Sequence, residues 1–198
     1  MMGKSRCDKM PKGRESGMPE AEVWQGFFDP AHTLDRLDCE RPGNVVEFGC
    51  GYGLFTVEAA RRSSGTVYAL DIEPEMLLAT LTAAEEAGVA NVRPMQRDFM
   101  ADGTGLPRGS CDYAMVFNLL HIDDPVALLR EAFRVLISAG KLGIIHWNVD
   151  PATPRGPSLE IRPTPDQCRA WAEEAGFRFV HHEPGIARWH WGLLMQRP

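Results

Sequence analysis

The stretch Val45-Val46-Glu47-Phe48-Gly49-Cys50-Gly51-Tyr52-Gly53 constrains this chain more than any other. It reads as a buried strand that runs directly into a glycine-rich turn. Glycine tolerates φ > 0 and lets a backbone approach a ligand closely. Leu54 to Arg62 then reads as a helix, so the unit is strand, glycine loop, helix. That unit is the nucleotide-binding half of a doubly wound α/β fold. From the glycines alone, a tight strand-to-helix turn without a ligand reads the same way.

From residue 44 onward, strands and helices alternate. The pattern predicts strands over Asn44–Phe48, Thr66–Leu70, Asn91–Gln96, Asp112–Phe117 and Leu142–Trp147. Helices are predicted from Pro74 to a stop at Gly88, over Pro125–Leu136, and from a Thr164 cap through Ala175. Val126, Leu129, Phe133 and Leu136 fit one helical face. Phe177–His182 and Trp189–Met195 complete the set. Their short connection demands an antiparallel pair, since a parallel pair needs a crossover of a dozen or more residues. The alternation before them implies a parallel sheet covered on both faces.

The loop discriminates between ligand classes. A dinucleotide fingerprint wants G-x-G-x-x-G after a strand. Here the third glycine, Gly53, comes one residue early, and Leu54 holds its place. Glu47 beside the loop would repel a pyrophosphate and attract a cation. The pattern Glu-x-Gly-x-Gly-x-Gly resembles the first motif of class I S-adenosylmethionine-dependent methyltransferases, whose cofactor carries an ammonium, a sulfonium and no phosphate. The string Tyr68-Ala69-Leu70-Asp71-Ile72-Glu73-Pro74-Glu75-Met76-Leu77 resembles that family's second motif. Cys111 to Leu142 resembles its fourth strand and following helix. Ile137-Ser138-Ala139-Gly140-Lys141-Leu142 departs from the family's Lys-Pro-Gly-Gly turn. The resemblance covers residues 44–147 well and the remainder loosely.

The resemblance implies a Rossmann-like, doubly wound, mostly parallel seven-stranded sheet with a C-terminal antiparallel hairpin. It implies S-adenosylmethionine as cofactor, held by Glu47, Gly49, Cys50, Gly51, Gly53, Asp71, Ile72, Asp98, Phe99 and Asn118. Asp71 would accept the ribose hydroxyls, and Asp98 the adenine amino group, with Phe99 cradling the ring. Asp102 rivals Asp98. Asn118 would line the methionine end of the cofactor. Amino-directed DNA methyltransferases carry Asn/Asp-Pro-Pro-aromatic at that place, and this chain has Asn118-Leu119-Leu120-His121, which disfavours base methylation.

Two histidines could reach the cleft as catalytic groups: His121 after the fourth strand and His146 in the fifth. A lone histidine is more often a structural hydrogen-bonding residue. His181 and His182 are neighbours in a strand and point to opposite faces, so they do not share a metal. No other ligand spacing suggests one, and no metal is expected. Four prolines stiffen residues 148–163. Arg155 or Arg162 there would suit an acidic acceptor, although a solvated surface charge is the commoner role.

Residues 1–18 carry Lys4, Arg6, Lys9, Lys12 and Arg14 without apolar periodicity, and read as a disordered tail, with Met18 as an alternative start. No secretory apolar core is evident there. Residues 19–43 read as a helical segment, with Trp24, Phe27, Phe28 and Ala31 on one stripe. It packs on the sheet edge or, as the resemblance suggests, closes over the site as a lid. Residues 44–198 form the remaining domain. Cys7, Cys39, Cys50, Cys111 and Cys168 are odd in number and widely spaced, which fits reduced thiols in a cytoplasm. No apolar run reaches the roughly 18 residues of a membrane helix. The net charge of −6 argues against nucleic acid. The expected partner is a small-molecule methyl acceptor, since no large insertion follows the fifth strand. Monomer and homodimer both stay open. The alternatives are a nicotinamide-dependent oxidoreductase and a non-catalytic S-adenosylmethionine-binding subunit.

Overall fold

A computed structural model describes residues 20–198. The expectations for the basic tail, Met18 and Cys7 lie outside the described residues. Two short helices, α1 (Ala21–Gln25) and α2 (Pro30–Arg36), precede the sheet. Then come β1 (Val45–Phe48), α3 (Leu54–Arg62), β2 (Val67–Asp71), α4 (Pro74–Glu86) and β3 (Val92–Gln96). The second half holds β4 (Cys111–Phe117), α5 (Pro125–Val135), β5 (Leu136–Trp147), α6 (Pro165–Glu174), β6 (Arg178–Ala187) and β7 (His190–Gln196).

The seven strands lie in the order β3-β2-β1-β4-β5-β7-β6. β1 is central and pairs in parallel with both β2 and β4, placing Glu47 opposite Ala69 and Met115. β7 runs antiparallel to both β5 and β6, so it alone is reversed. The expected doubly wound sheet with an antiparallel C-terminal hairpin is therefore present. The chain order reverses between β1 and β4, and open α/β sheets bind ligands beyond the strand carboxyl ends at such a point.

Strand alternation divides the apolar residues between two faces. Val46, Phe48, Ala114, Val116 and Ile144 pack on α5 and α6 through Leu128, Leu129, Ala132 and Cys168. Val45, Tyr113, Met115, Phe117 and Ile145 pack on the other side with Leu34, Leu37 and Phe55. The α5 stripe differs from the expected one. Leu128, Leu129, Ala132 and Val135 are its buried core, while Leu136 already belongs to β5.

Two other expectations change. The segment read as a turn before the fifth strand is part of β5, because Cys111 pairs with Leu136 and Tyr113 with Lys141. The residues between bulge outward, with Ala139 at φ 64°, and the C-terminus bonds them through Ala139 N–H to Arg197 O at 2.9 Å. The aromatic stripe of the N-terminal segment is not one helix. Asp29 precedes Pro30, which pushes it out of helical geometry, and its carboxylate caps α2 by accepting the His32 N–H at 3.0 Å. Trp24 and Phe28 are still buried together, but Ala31 is exposed. The segment is held to the sheet by the Tyr113 hydroxyl, which donates to Leu37 O at 2.7 Å, and by Arg62, which donates to Ala31 O at 2.8 Å.

The glycine loop is set by close packing as much as by any ligand. Gly53 caps α3 with φ 80°, and a Cβ there would lie 2.9 Å from the Thr80 Cα on α4. Both the left-handed backbone and the contact with main chain exclude a side chain. Gly53→Ala is expected to cost about 1–3 kcal/mol and to lower the melting temperature. An unchanged melting temperature would show that α3 and α4 can separate without loss.

Candidate functional site

Asp71, at the carboxyl end of β2, ties the glycine loop to the next turn. Its Oδ2 accepts the Gly51 N–H at 3.0 Å, and its Oδ1 accepts the Glu73 N–H at 3.0 Å. Cys50 N–H donates to Leu70 O at 2.9 Å. The Thr80 hydroxyl donates to Gly51 O at 3.0 Å. Gly49, Gly51 and Gly53 all have positive φ (71°, 53° and 80°). The loop thus stands over the end of β1, fixed from β2 and α4. Nothing in the sequence singled out Thr80, whose role depends on how α4 crosses the loop. Cys50 is buried, and burial pushes its thiol far up, so it is an inert small residue of the loop.

Glu47 lies within the sheet beneath this loop, 2% exposed. Its carboxyl accepts a hydrogen bond from the Thr56 hydroxyl on α3. Burial pushes it up to about 8. The Thr56 hydroxyl opposes that shift and the neighbouring Asp71 charge adds to it. A buried carboxyl with one neutral partner keeps its proton until a cation compensates the charge.

Asp98 follows β3, and its Oδ1 accepts the N–H groups of Met100 and Ala101, each at 3.1 Å. It closes its own turn. Phe99 stands edge-on to Phe48, 5.4 Å between centroids. The rival Asp102 is exposed. Ile72 is half-buried directly after Asp71.

Asn118 follows β4 in the left-handed region, φ 57°, with its N–H donating to Ile145 O at 2.7 Å. Its side-chain oxygen and nitrogen are both buried and have no hydrogen-bond partner among the described residues. A buried amide without partners is expensive. A polar ligand reaching the end of β4 would satisfy it. The positive-φ glycine loop, the carboxylate at the end of β2, the buried Glu47 and this orphaned amide together suit a ligand with a cationic end and sugar hydroxyls.

His121 and His146 are brought together. His121 Nδ1 lies 3.3 Å from His146 Nε2. His146 Nδ1 accepts the Trp147 N–H at 2.9 Å. A neutral ring has one donor and one acceptor nitrogen, so His146 Nε2 carries the proton and donates it to His121. Burial holds His146 well below the ordinary histidine range, with the neighbouring histidines adding to the shift. Both nitrogens of His146 are thereby occupied in a ring that stays neutral.

Across β5, Trp147 begins an aromatic box that the sequence did not reveal. Its ring lies 4.1 Å from His190 on β7, and Phe28 lies 4.4 Å from the same imidazole. His190 is fully buried, and neither ring nitrogen has a hydrogen-bond partner among the described residues. Burial, then the Arg162 charge, lowers it to about 3.

Arg162 is not a solvated surface charge. It is 8% exposed and lies 5.6 Å over the Trp147 ring. It donates to the carbonyls of Pro157 at 2.8 Å, Asn148 at 2.9 Å and Arg155 at 2.9 Å. Gly156 fits beside it at φ 105°, where a Cβ would lie 2.9 Å from the Trp147 ring. Arg155 itself is exposed. Arg162, His121, Leu120, Ile161, Gln167 and Trp171 line a cleft of about 300 Å³ between the β4–α5 loop and residues 160–171. His181 bonds Arg36 O at 2.9 Å, while His182 faces Trp191 instead. Among the described residues, no group of three or more His, Cys, Asp and Glu side chains is arranged to hold a metal. Nor is any helix among them long and apolar enough to cross a membrane.

Residues 45–140 match the family described as a methyltransferase domain. A ubiquinone biosynthesis O-methyltransferase of Xanthomonas oryzae pv. oryzae is 33% identical over 135 residues, 62% of this chain and 54% of that one. A demethylmenaquinone methyltransferase of a Geobacillus species is 27% identical over 113 residues, 56% of this chain and 47% of that one. The chain thus spans about half the length of these curated relatives. The crystal structure of a SAM-dependent methyltransferase from Aquifex aeolicus superposes with a TM-score of 0.78 at 21% identity, covering 90% of this chain and 94% of that one.

Glu47 supplies a test of the site's electrostatics. Between the unfolded carboxyl range near pH 4 and about 8, the folded chain holds a proton that the unfolded chain has released. Its contribution to stability therefore falls as pH rises through that window. Glu47→Gln keeps an acceptor for Thr56 and removes the titration. The variant is expected to gain on the parent steadily from pH 5 to 8 in thermal melts. A constant difference across that range would contradict the buried, protonated carboxyl.

Proposed function

We propose that this chain is a class I S-adenosylmethionine-dependent methyltransferase that transfers a methyl group from S-adenosylmethionine to a small-molecule acceptor. The observation that carries the reading is the coincidence of the matched residues 45–140 with the glycine loop, Asp71 and Asn118 around the β1–β4 switch point. The names of the curated relatives, which act in ubiquinone and menaquinone chemistry, support a small acceptor. Cys39, Cys50, Cys111 and Cys168 are unpaired and buried, which supports a reducing, cytoplasmic compartment.

Bound S-adenosylmethionine supplies a methyl group on a sulfonium that departs as a neutral thioether. The chain's own task is alignment, and holding two reactants in line accounts for much of such catalysis. The glycine loop and Asp71 fix the nucleoside, with Ile72, Asp98 and Phe99 at the adenine end. Asn118 uses its unpaired amide to hold the methionine end, and Glu47 ionises as the cationic ligand arrives. His121 faces the acceptor from the β4–α5 loop. His146 positions it, because its Trp147 hydrogen bond dictates which nitrogen donates. Residues 20–43 close over the aromatic box as a lid.

Two measurements test this reading. Methyl-labelled S-adenosylmethionine, incubated with the protein and a cell extract, is expected to label the small-molecule fraction. Label confined to protein or nucleic acid would refute the acceptor class. Asp71→Ala is expected to weaken S-adenosylhomocysteine binding by about 1–3 kcal/mol, roughly fivefold to 150-fold. His146→Ala should leave that affinity nearly intact. Loss of binding in the histidine variant would move His146 to the cofactor side.

A further inference from the structure

Arg162 presents a problem that the cofactor does not solve. Its guanidinium is buried at 8% exposure, yet it forms no ion pair with any described carboxylate. Burial pulls it down from its ordinary value, and the field of Asp150 opposes that only in part. A buried charge without a counter-charge is strongly unfavourable. Three backbone carbonyls take three of its N–H groups. A guanidinium has five, arranged as a fork, so two remain.

The residue lines the cleft of about 300 Å³ that begins at His121. That volume is at the small end of ligand sites. Leu120, Ile161 and Trp171 give it apolar walls. The cleft lies beyond β4, on the side of the switch point away from β2 and Asp71. A cofactor running from Asp71 to Asn118 would present its far end toward this side.

We infer that this cleft is the acceptor site and that it takes a small carboxylic acid, whose carboxylate is received by Arg162. The inference rests on the proposed methyl transfer and names its substrate class. A carboxylate matches the guanidinium fork in charge and geometry. It supplies the counter-charge that the fold withholds. Glu160 and Asp123 also line the cleft and would oppose an anion, but both are exposed. Water and salt weaken these exposed charges without removing them, whereas the buried guanidinium keeps its field. The three carbonyl bonds and the Trp147 ring hold the fork in place before any ligand arrives.

The test uses matched probes on protein saturated with S-adenosylhomocysteine. Acetate is compared with acetamide, and benzoate with benzamide, by calorimetry or ligand-observed NMR. At least one carboxylate is expected to bind tenfold or more tightly than its amide. Arg162→Gln should abolish that preference. Because that change also removes loop hydrogen bonds, Glu160→Gln serves as a second variant at an exposed position. It should tighten the carboxylate two- to fivefold and leave the amide unchanged. Equal binding of acids and amides, binding of none of the four, or an unaltered preference in Glu160→Gln would overturn the inference. Failure of S-adenosylhomocysteine to bind at all would instead overturn the methyltransferase reading, so the two failures are distinguishable.

Discussion

The carboxylate of Asp71 joins two turns that would otherwise be independent. It receives one N–H from the glycine loop after β1 and another from the turn after β2. Hydrogen bonds to a charged acceptor are roughly twice as strong as neutral ones. The positive-φ glycines cost conformational entropy on folding, and these bonds help offset it. Because β1 lies between β2 and β4, fixing its loop also fixes one wall of the crevice at the β1–β4 switch point. The end of the sheet around β1 and β2 is organised from this residue outward.

The other side has its own organiser. Arg162 gathers residues 148–163 around one buried guanidinium and lies over Trp147. Trp147 in turn meets the aromatic box around His190, and its N–H orders the His146–His121 pair. Alternation along β5 sends His146 to the face of α5 and α6 and Trp147 to the face of α1 and α2. One strand end therefore serves two layers.

Much of the half around β1 and β2 was legible in the sequence. Its signals are local: an apolar strand, glycines at fixed spacing, and an acidic residue where the next strand ends. Pro74 marked the start of α4, apolar spacing marked α5, and the Thr164 cap marked α6. The parallel sheet followed from alternation, and the antiparallel pair from the short β6–β7 connection. Local signals misled where tertiary contacts decide. Ala139 and Gly140 look like a turn, but the C-terminal residues pair with them and carry β5 through. Arg162 looks like a surface charge in a proline-rich loop, and its burial depends on Gly156 and Trp147 meeting across a chain reversal. His190 and Thr80 carried no sequence signal, because their neighbours come from distant elements. Glu47 was placed beside the loop, but its depth and the Thr56 bond appear only in three dimensions.

The central claim is that the loop at Gly49–Gly53 was built for a cationic sulfonium nucleoside and not for a dinucleotide. Titration of the purified chain with S-adenosylmethionine, S-adenosylhomocysteine and NADH tests it most directly. The account predicts saturable, one-to-one binding of the first two and none of the third. Binding of NADH without binding of either S-adenosyl compound would contradict it.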